Sequence, residues 1–442
     1  MNLYSLLGQR ADKPIRVLLI GAGKFGAMFL SQARRLPGLH IVAIVDLLPE
    51  KAREALARVG WEREQFAARD LADALARGTT FISDDALTII ASEQIEVVIE
   101  ATGVVGAGVR HALACIECGK HVVMVNVEAD ALAGPVLACR AKEAGVIYSL
   151  ANGDQPALIC ELVDWARCSG FEVIAAGKGT KYLPQYHGST PDTVWNYYGF
   201  DHEVVTKGNF NARMFNSFLD GTKSGIEMVA VANATGLTPA PDGLSFPPCG
   251  VDDLPRVLKP SSEGGTLHHA GQVEVVSSLQ RNGAQVARDL RWGVYVVFRA
   301  ESDYVRRCFH EYGLVTDDRG EYSALYRPYH LIGLELTISV ASVALRGEPT
   351  GAPNAFRADV VAVAKRDLKT GDMLDGEGGY TVWGKLMPAA DSIAQHCLPI
   401  GLAHDANMVK PVAKDALVRY DDVELKESAA LKLRREMEHL FG

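Results

Sequence analysis

The stretch Val17-Leu18-Leu19-Ile20-Gly21-Ala22-Gly23-Lys24-Phe25-Gly26 decides the fold of the first third of this chain. The apolar run reads as the end of a strand buried on both faces, and Gly-x-Gly-x-x-Gly then leads into a helix. Gly21 permits the tight turn, Gly23 lets backbone approach a pyrophosphate, and Gly26 lets the helix pack closely on the strand. The helix N-terminus, with its free N–H groups and positive dipole end, receives the phosphate charge. A second strand, His40-Ile41-Val42-Ala43-Ile44-Val45, ends in Asp46, at the distance expected of the acid that holds a ribose hydroxyl. Strand, glycines, helix, strand and acid in that order specify a dinucleotide cradle, with Gly21, Gly23, Lys24, Phe25, Gly26 and Asp46 as its candidate residues.

Further along, after a polar helical stretch at 61–77, Ile95-Glu96-Val97-Val98-Ile99-Glu100 reads as the fourth strand. Ala101-Thr102-Gly103 follows it at the carboxyl edge of the sheet, where cofactors bind in doubly wound folds. Strands at 121–126 and 146–149, with a helix at 129–143 between them, continue the alternation. A parallel α/β sheet of Rossmann type, covered on both faces and complete by about residue 150, is the expectation. Asn126 ends the 121–126 strand, close to where a nicotinamide ring belongs.

At 442 residues the chain is too long for one ordinary core, so two or three domains are expected. A formal net charge of −9 argues against a nucleic-acid binder. The apolar stretch 331–345 is too short to span a bilayer and carries Glu335, so it reads as a core helix with no membrane role. No basic region precedes the apolar residues at the N-terminus, so no secretory signal is read there and the cytoplasm is the expected compartment. Eight scattered cysteines suit reduced thiols rather than a disulfide framework. Cys115 and Cys118 form a C-x-x-C near His111 and His121, yet they fall in a helix at 109–119, on one face with Ala112, and no second pair closes a zinc site. Small buried helix cysteines are the expected reading.

The middle region, 151–350, is the expected substrate domain. It opens with Asn152-Gly153-Asp154-Gln155-Pro156 and a helix at 157–168; Asp154 is either a helix N-cap or an active-site carboxylate. Next, Phe171-Glu172-Val173-Ile174-Ala175-Ala176 reads as a strand running into Gly177-Lys178-Gly179-Thr180-Lys181. As a loop, its glycines free backbone N–H groups while Lys178, Thr180 and Lys181 supply donors, which suits a phosphate, the alternative being a solvated basic loop. A mostly apolar helix at 211–235 carries Asn216, Asp220, Lys223 and Glu227 at spacings of four, three and four. That polar stripe faces either a cleft or, stitched by Asp220 and Lys223, solvent.

The arrangement of Gly21 to Gly26, Glu100-Ala101-Thr102-Gly103 and Gly119-Lys120-His121-Val122-Val123-Met124-Val125-Asn126 resembles the nucleotide domain of homoserine dehydrogenases. That family carries a catalytic lysine directly after the Asn; this chain has Val127, which cannot polarise a carbonyl. Gly-Lys-Gly-Thr-Lys-Tyr and Met-Phe-Asn-Ser-Phe-Leu-Asp-Gly-Thr-Lys resemble the deoxyxylulose-phosphate reductoisomerase-like relatives of that family, along nearly the whole chain. After Gly347-Glu348-Pro349-Thr350-Gly351-Ala352-Pro353, read as a linker, short apolar strands at 360–364, 409–412 and 420–423 resemble a SAF-type β-clip module. A charged last helix, 425–441, is a candidate for packing on a partner subunit.

The expected architecture is therefore a Rossmann domain (1–150), an α+β substrate and dimerisation domain (151–350) and a β-rich SAF-like module with a terminal helix (351–442). The resemblance implies an NADPH-dependent reductoisomerase converting 1-deoxy-D-xylulose 5-phosphate to 2-C-methyl-D-erythritol 4-phosphate, as a homodimer. Lys178, Thr180 and Lys181 are its phosphate or oxyanion candidates. Asp154, Asp220, Lys223 and Asn216 are the acid, base or organising groups, and a divalent Mg or Mn ion chelated by substrate oxygens is the usual means of polarising such a carbonyl. Asp46 by itself favours NADH, because a carboxylate repels a 2′-phosphate. With Lys51 and Arg53 just beyond it, the expectation is NADPH with Asp46 turned aside. The alternatives are a homoserine dehydrogenase-like enzyme of a small polyol or amino acid, and a non-catalytic sugar- or cofactor-sensing protein.

Overall fold

Six short strands, β1 (Ile15–Ile20), β2 (Leu39–Val45), β3 (Phe81–Ser83), β4 (Val97–Glu100), β5 (His121–Met124) and β6 (Tyr148–Leu150), make one parallel sheet in the order β3-β2-β1-β4-β5-β6. β1, β4 and β5 bury nearly every residue, as strands covered by helices on both faces must. The strand order reverses between β1 and β4, so the turns after these two strands lie at the switch point where such sheets bind ligands. These are the turns that carry Gly21 and Ala101-Thr102-Gly103. The computed structural model describes residues 2–207 and 210–441, with Met1, Gly208, Asn209 and Gly442 outside the described residues.

A second sheet is mixed. β7 (Glu172–Thr180) pairs parallel with β8 (Gln272–Ser277) and antiparallel with β9 (Val294–Arg299), which pairs antiparallel with β10 (Tyr322–Arg327). The last part of the chain adds an antiparallel pair, β11 (Ala358–Ala364) with β13 (Val382–Pro388), and a small antiparallel sheet of β12 (Met373–Asp375), β14 (His404–Met408) and β15 (Val423–Glu424). No strand occupies 409–412, contrary to expectation; there Val412 makes only an isolated bridge to Leu368.

The chain divides into two compact units rather than at residues 150 and 350: residues up to Leu158 with Leu331–Asn354, and Ile159–His330 with the residues from Ala355 onward. Leu331–Asn354 returns to the first unit because Leu336, Val340, Ala341 and Val343 join the core built by Ile15, Val17 and Phe29. Its end is tied to β6, with Leu150 N–H donating to Gly351 O (2.8 Å) and Thr350 Oγ1 to Leu150 O (2.8 Å), so 347–353 is not a free linker. The C-terminal strands belong with the second unit because Asn233, fully buried, accepts from the N–H groups of Arg357 (2.7 Å) and Ala358 (3.1 Å). The final helix, Ala429–Phe441, docks on its own chain through Arg434, buried and paired with both oxygens of Asp359. No helix among the described residues is long and apolar enough to cross a membrane.

The helix expected at 211–235 is two helices, Ala212–Leu219 and Thr222–Thr235, broken at Asp220-Gly221. Gly221 adopts φ 91°, a left-handed conformation that stops the first helix at no steric cost. Asp220 then uses one carboxylate oxygen to hold the N–H of Thr222 (2.9 Å) at the start of the second.

Candidate functional site

The dinucleotide cradle in the first unit is built as its glycines require. Gly21 turns with φ 98°, and a Cβ there would lie 2.6 Å from Ala101 O; a Cβ on Gly26 would lie 2.4 Å from Gly21 O. Gly23 caps the helix Lys24–Ala33 and a Cβ there would meet nothing, which leaves open the space a pyrophosphate needs. Lys24 and Phe25 form the first turn of that helix, Lys24 exposed and Phe25 half-buried. Asp46 is not turned aside. Its carboxylate accepts from Ala22 N–H and Leu48 N–H, both at 3.0 Å, which fixes it against the glycine turn. Arg53 pairs with Glu50 on the exposed face of its own helix. The residues present fit a nicotinamide dinucleotide.

Thr102 and Asn126 are tied into a buried network beside that turn. Thr102 Oγ1 donates to Glu100 Oε1 (2.6 Å), which also meets His111 Nδ1 (3.1 Å). Asn126 caps the helix Val127–Glu143 by accepting from Ala129 N–H (3.1 Å) and donates to Val104 O (3.0 Å), so its amide organises the loops after β4 and β5. Gly103, at φ 67°, lets the chain turn from Thr102 into the helix that follows. His111 is thus a carboxylate partner, and of the two nearby cysteines Cys115 is buried while Cys118 is exposed, so they do not share a buried face. Asp154 also lies in the first unit, buried, with its carboxylate accepting from Gln155 N–H (2.8 Å) at the start of the helix Gln155–Cys168.

In the second unit the expected phosphate loop is strand. Gly177, Lys178, Gly179 and Thr180 complete β7, between β8 and β9. The glycines admit neighbouring backbone instead of exposing N–H groups: a Cβ at Gly177 would lie 1.8 Å from Glu274 O and one at Gly179 2.0 Å from Leu290 O. Gly179 N–H is used by Gly293 O (3.1 Å), and Thr180 O accepts from Ser278 N–H (2.8 Å). Lys178 is buried and paired with Glu227, which removes it from the anion-binding role. Lys181, half-buried just beyond the strand, donates to Tyr197 O.

Asn216, Asp220 and a residue sequence reasoning missed, Lys365, do come together. Lys365 Nζ, at the end of β11, donates to Asp220 Oδ2 (2.7 Å), Ser189 O (2.8 Å) and Gly379 O (2.9 Å). Asn216 holds the same segments, donating to Ser189 O and Gly378 O, both at 3.1 Å, and accepting from Ser189 Oγ (2.7 Å). Lys223 lies in the first turn of the second helix and is half-buried. The sequence signal for Lys365 is a charge directly after a seven-residue strand in which every position is buried.

His187 was also missed. Its Nδ1 donates to the backbone carbonyl of Asp220 (2.6 Å), so in the neutral ring Nε2 is the acceptor and takes the Tyr182 hydroxyl proton at 2.8 Å. Burial holds the imidazole below its ordinary pKa and pushes the Tyr182 phenol up to about 12, so both stay neutral near pH 7. The ring stacks on Trp383 with centroids 3.8 Å apart. His187, Lys365 and Trp383 line a cleft of about 500 Å³ together with Lys385, Lys414 and Asp415. A neutral imidazole with a fixed tautomer on a lysine-rich wall can accept and return a proton beside an anionic ligand. Among the described residues no group of three or more His, Cys, Asp or Glu side chains is placed to hold a metal ion, and Asp220 and Glu227 are each taken up by a lysine. The residues do not supply a donor set for the expected Mg or Mn.

Comparison with known proteins divides along the same lines. Residues 15–124 match the oxidoreductase family GFO_IDH_MocA, NAD-binding Rossmann fold, and residues 153–336 match Oxidoreductase DRL, catalytic domain. The 1-deoxy-D-xylulose 5-phosphate reductoisomerase of Anaeromyxobacter dehalogenans is 30% identical over 172 residues, 37% of this chain and 44% of that protein. The 4-carboxy-2-hydroxymuconate-6-semialdehyde dehydrogenase of a Sphingobium species is 30% identical over 119 residues, 27% of this chain and 32% of that protein. The chain thus matches less than half the length of either relative. A homoserine dehydrogenase from Thiobacillus denitrificans is 19% identical with a TM-score of 0.36, covering 51% of this chain and 50% of that one. One stretch of the chain thus matches an NAD-binding Rossmann fold of the GFO/IDH/MocA oxidoreductases and the next matches the catalytic domain of the oxidoreductase DRL.

Proposed function

We propose that the protein is a reductoisomerase that converts 1-deoxy-D-xylulose 5-phosphate to 2-C-methyl-D-erythritol 4-phosphate, acting as a homodimer on a small phosphorylated sugar. The observation that carries this reading is the neutral His187, a residue of the stretch that matches the DRL catalytic domain, held between Tyr182 and Asp220 on the wall of a cleft whose lysines come from the C-terminal strands and loops. Partial identity to a reductoisomerase supports the same substrate.

Rearrangement of the ketose to an aldehyde removes a proton from one hydroxyl and returns one to a carbonyl oxygen. His187 Nε2 is the acceptor suited to the first task, and the Tyr182 hydroxyl hydrogen-bonded to it can replace or relay the proton. Asp220, engaged by Lys365 and by Thr222 N–H, fixes the backbone carbonyl that sets the His187 tautomer; it orients and does not abstract. The turn shaped by Gly21 and Gly26 and left open at Gly23 would receive the pyrophosphate of a bound cofactor, whose reduced nicotinamide would supply the hydride that traps the aldehyde. The anchored carboxylate of Asp46 supports NADH over the NADPH implied by the family resemblance.

The test is oxidation of reduced cofactor by purified protein given 1-deoxy-D-xylulose 5-phosphate, with the product identified by NMR. Formation of the branched tetritol phosphate, abolished in His187→Gln, is the expected result. Turnover of aspartate semialdehyde in its place, or none with either substrate under NADH and NADPH, overturns the proposal.

A further inference from the structure

Two cations of the second unit lie against one aromatic ring, that of Tyr198. Lys181 Nζ sits 5.4 Å from the centre of the Tyr198 ring, and the Arg291 guanidinium lies 5.9 Å from the same centre. Arg291 also covers Trp292 at 4.7 Å. Among the described residues neither side chain makes an ion pair, although both are partly buried. Burial, and then the charge of Arg291, push the Lys181 pKa down, as two like charges held together must.

The backbone is shaped to bring them together. A Cβ on Gly179 would strike Leu290 O at 2.0 Å and Arg291 N at 3.0 Å, so only glycine in the penultimate position of β7 lets the turn carrying Arg291 close on the strand end carrying Lys181. Lys181 is pinned by Tyr197 O, and Arg291 is held over two aromatic faces. Both charges are therefore positioned before any ligand arrives, and an anion bound within reach of both relieves their mutual repulsion.

From this juxtaposition we infer that Lys181 and Arg291 form the grip for a phosphate monoester dianion, the terminal phosphate of the substrate. The inference rests on the reading above for the identity of the sugar, but the anion site stands on its own geometry. Arg291 is the new member, a specificity-determining residue with no sequence motif, and a planar guanidinium suits two phosphate oxygens at once.

The test uses the full-length protein and inorganic phosphate as probe, followed by the thermal midpoint and by competition with the sugar phosphate. Losing one charge-assisted hydrogen bond is expected to weaken phosphate binding about 10- to 100-fold in Arg291→Met and in Lys181→Met. Arg291→Lys, which keeps the charge, should retain part of the affinity, and circular dichroism checks that each variant is folded. Cofactor binding should be unchanged in all three. Unaltered phosphate affinity in folded Met variants overturns the inference even if the sugar phosphate is turned over. Phosphate binding that is lost in the variants, in a protein that does not turn over the sugar phosphate, upholds the grip and rejects the proposed substrate.

Discussion

Replacing Lys365 by Met tests whether the polar core around Asp220 is an ion pair on which the site depends. Methionine matches the length of the lysine stem, so packing is largely kept and the loss is electrostatic. It deletes three hydrogen bonds, to Asp220 Oδ2, Ser189 O and Gly379 O, and leaves the fully buried Asp220 carboxylate with the Thr222 N–H as its one remaining hydrogen bond of the two described. Stranding one member of a buried pair costs about 3–5 kcal/mol, with the two orphaned carbonyls within that range rather than added to it. In Asp220→Asn/Lys365→Met the stranded charge is gone, so the double variant should be more stable than Lys365→Met, with a coupling energy of about 2 kcal/mol from the cycle. Urea unfolding followed by tryptophan fluorescence reads the transition, since Trp383 stacks on His187 beside the pair. A single-variant loss under about 1 kcal/mol, the range of exposed pairs, or a double variant no better than Lys365→Met, refutes the reasoning.

Two further outcomes follow from the first unit. Asp46→Ser removes the carboxylate fixed at the glycine turn, so kcat/KM for NADPH relative to NADH should rise at least about tenfold; an unchanged ratio means that Asp46 does not set cofactor choice. Asp130 is buried with Tyr148 OH as its donor (2.8 Å), and burial raises its carboxyl pKa to about 7 from an ordinary 3.8. Because the folded value is the higher one, its contribution to stability is full below about pH 4 and is lost as pH rises through about 7. Asp130→Asn should therefore gain on the parent protein in thermal midpoint between pH 5 and pH 8, and parallel curves for the two proteins would remove Asp130 as the cause.

The sequence alone determined the Rossmann-type domain, because its requirements are local. A strand buried on both faces needs an unbroken apolar run, a turn at φ 98° needs Gly21, and close approach of the next helix needs Gly26, all within ten residues. Tertiary structure decided the rest. Glycines that free a loop and glycines that admit a neighbouring strand look alike in sequence, and only the carbonyls of Glu274 and Leu290 show that Gly177 and Gly179 are of the second kind. The even spacing of Asn216, Asp220, Lys223 and Glu227 suggested one helical face, but a left-handed Gly221 divides it, and each carboxylate meets a lysine from elsewhere: Lys178 for Glu227 and, 145 positions away, Lys365 for Asp220. His187 and Arg291 sit in no motif; one is placed by a backbone carbonyl and the other by the approach of a turn to a strand end. Contacts of that kind depend on where distant segments meet, and local periodicity carries no record of it.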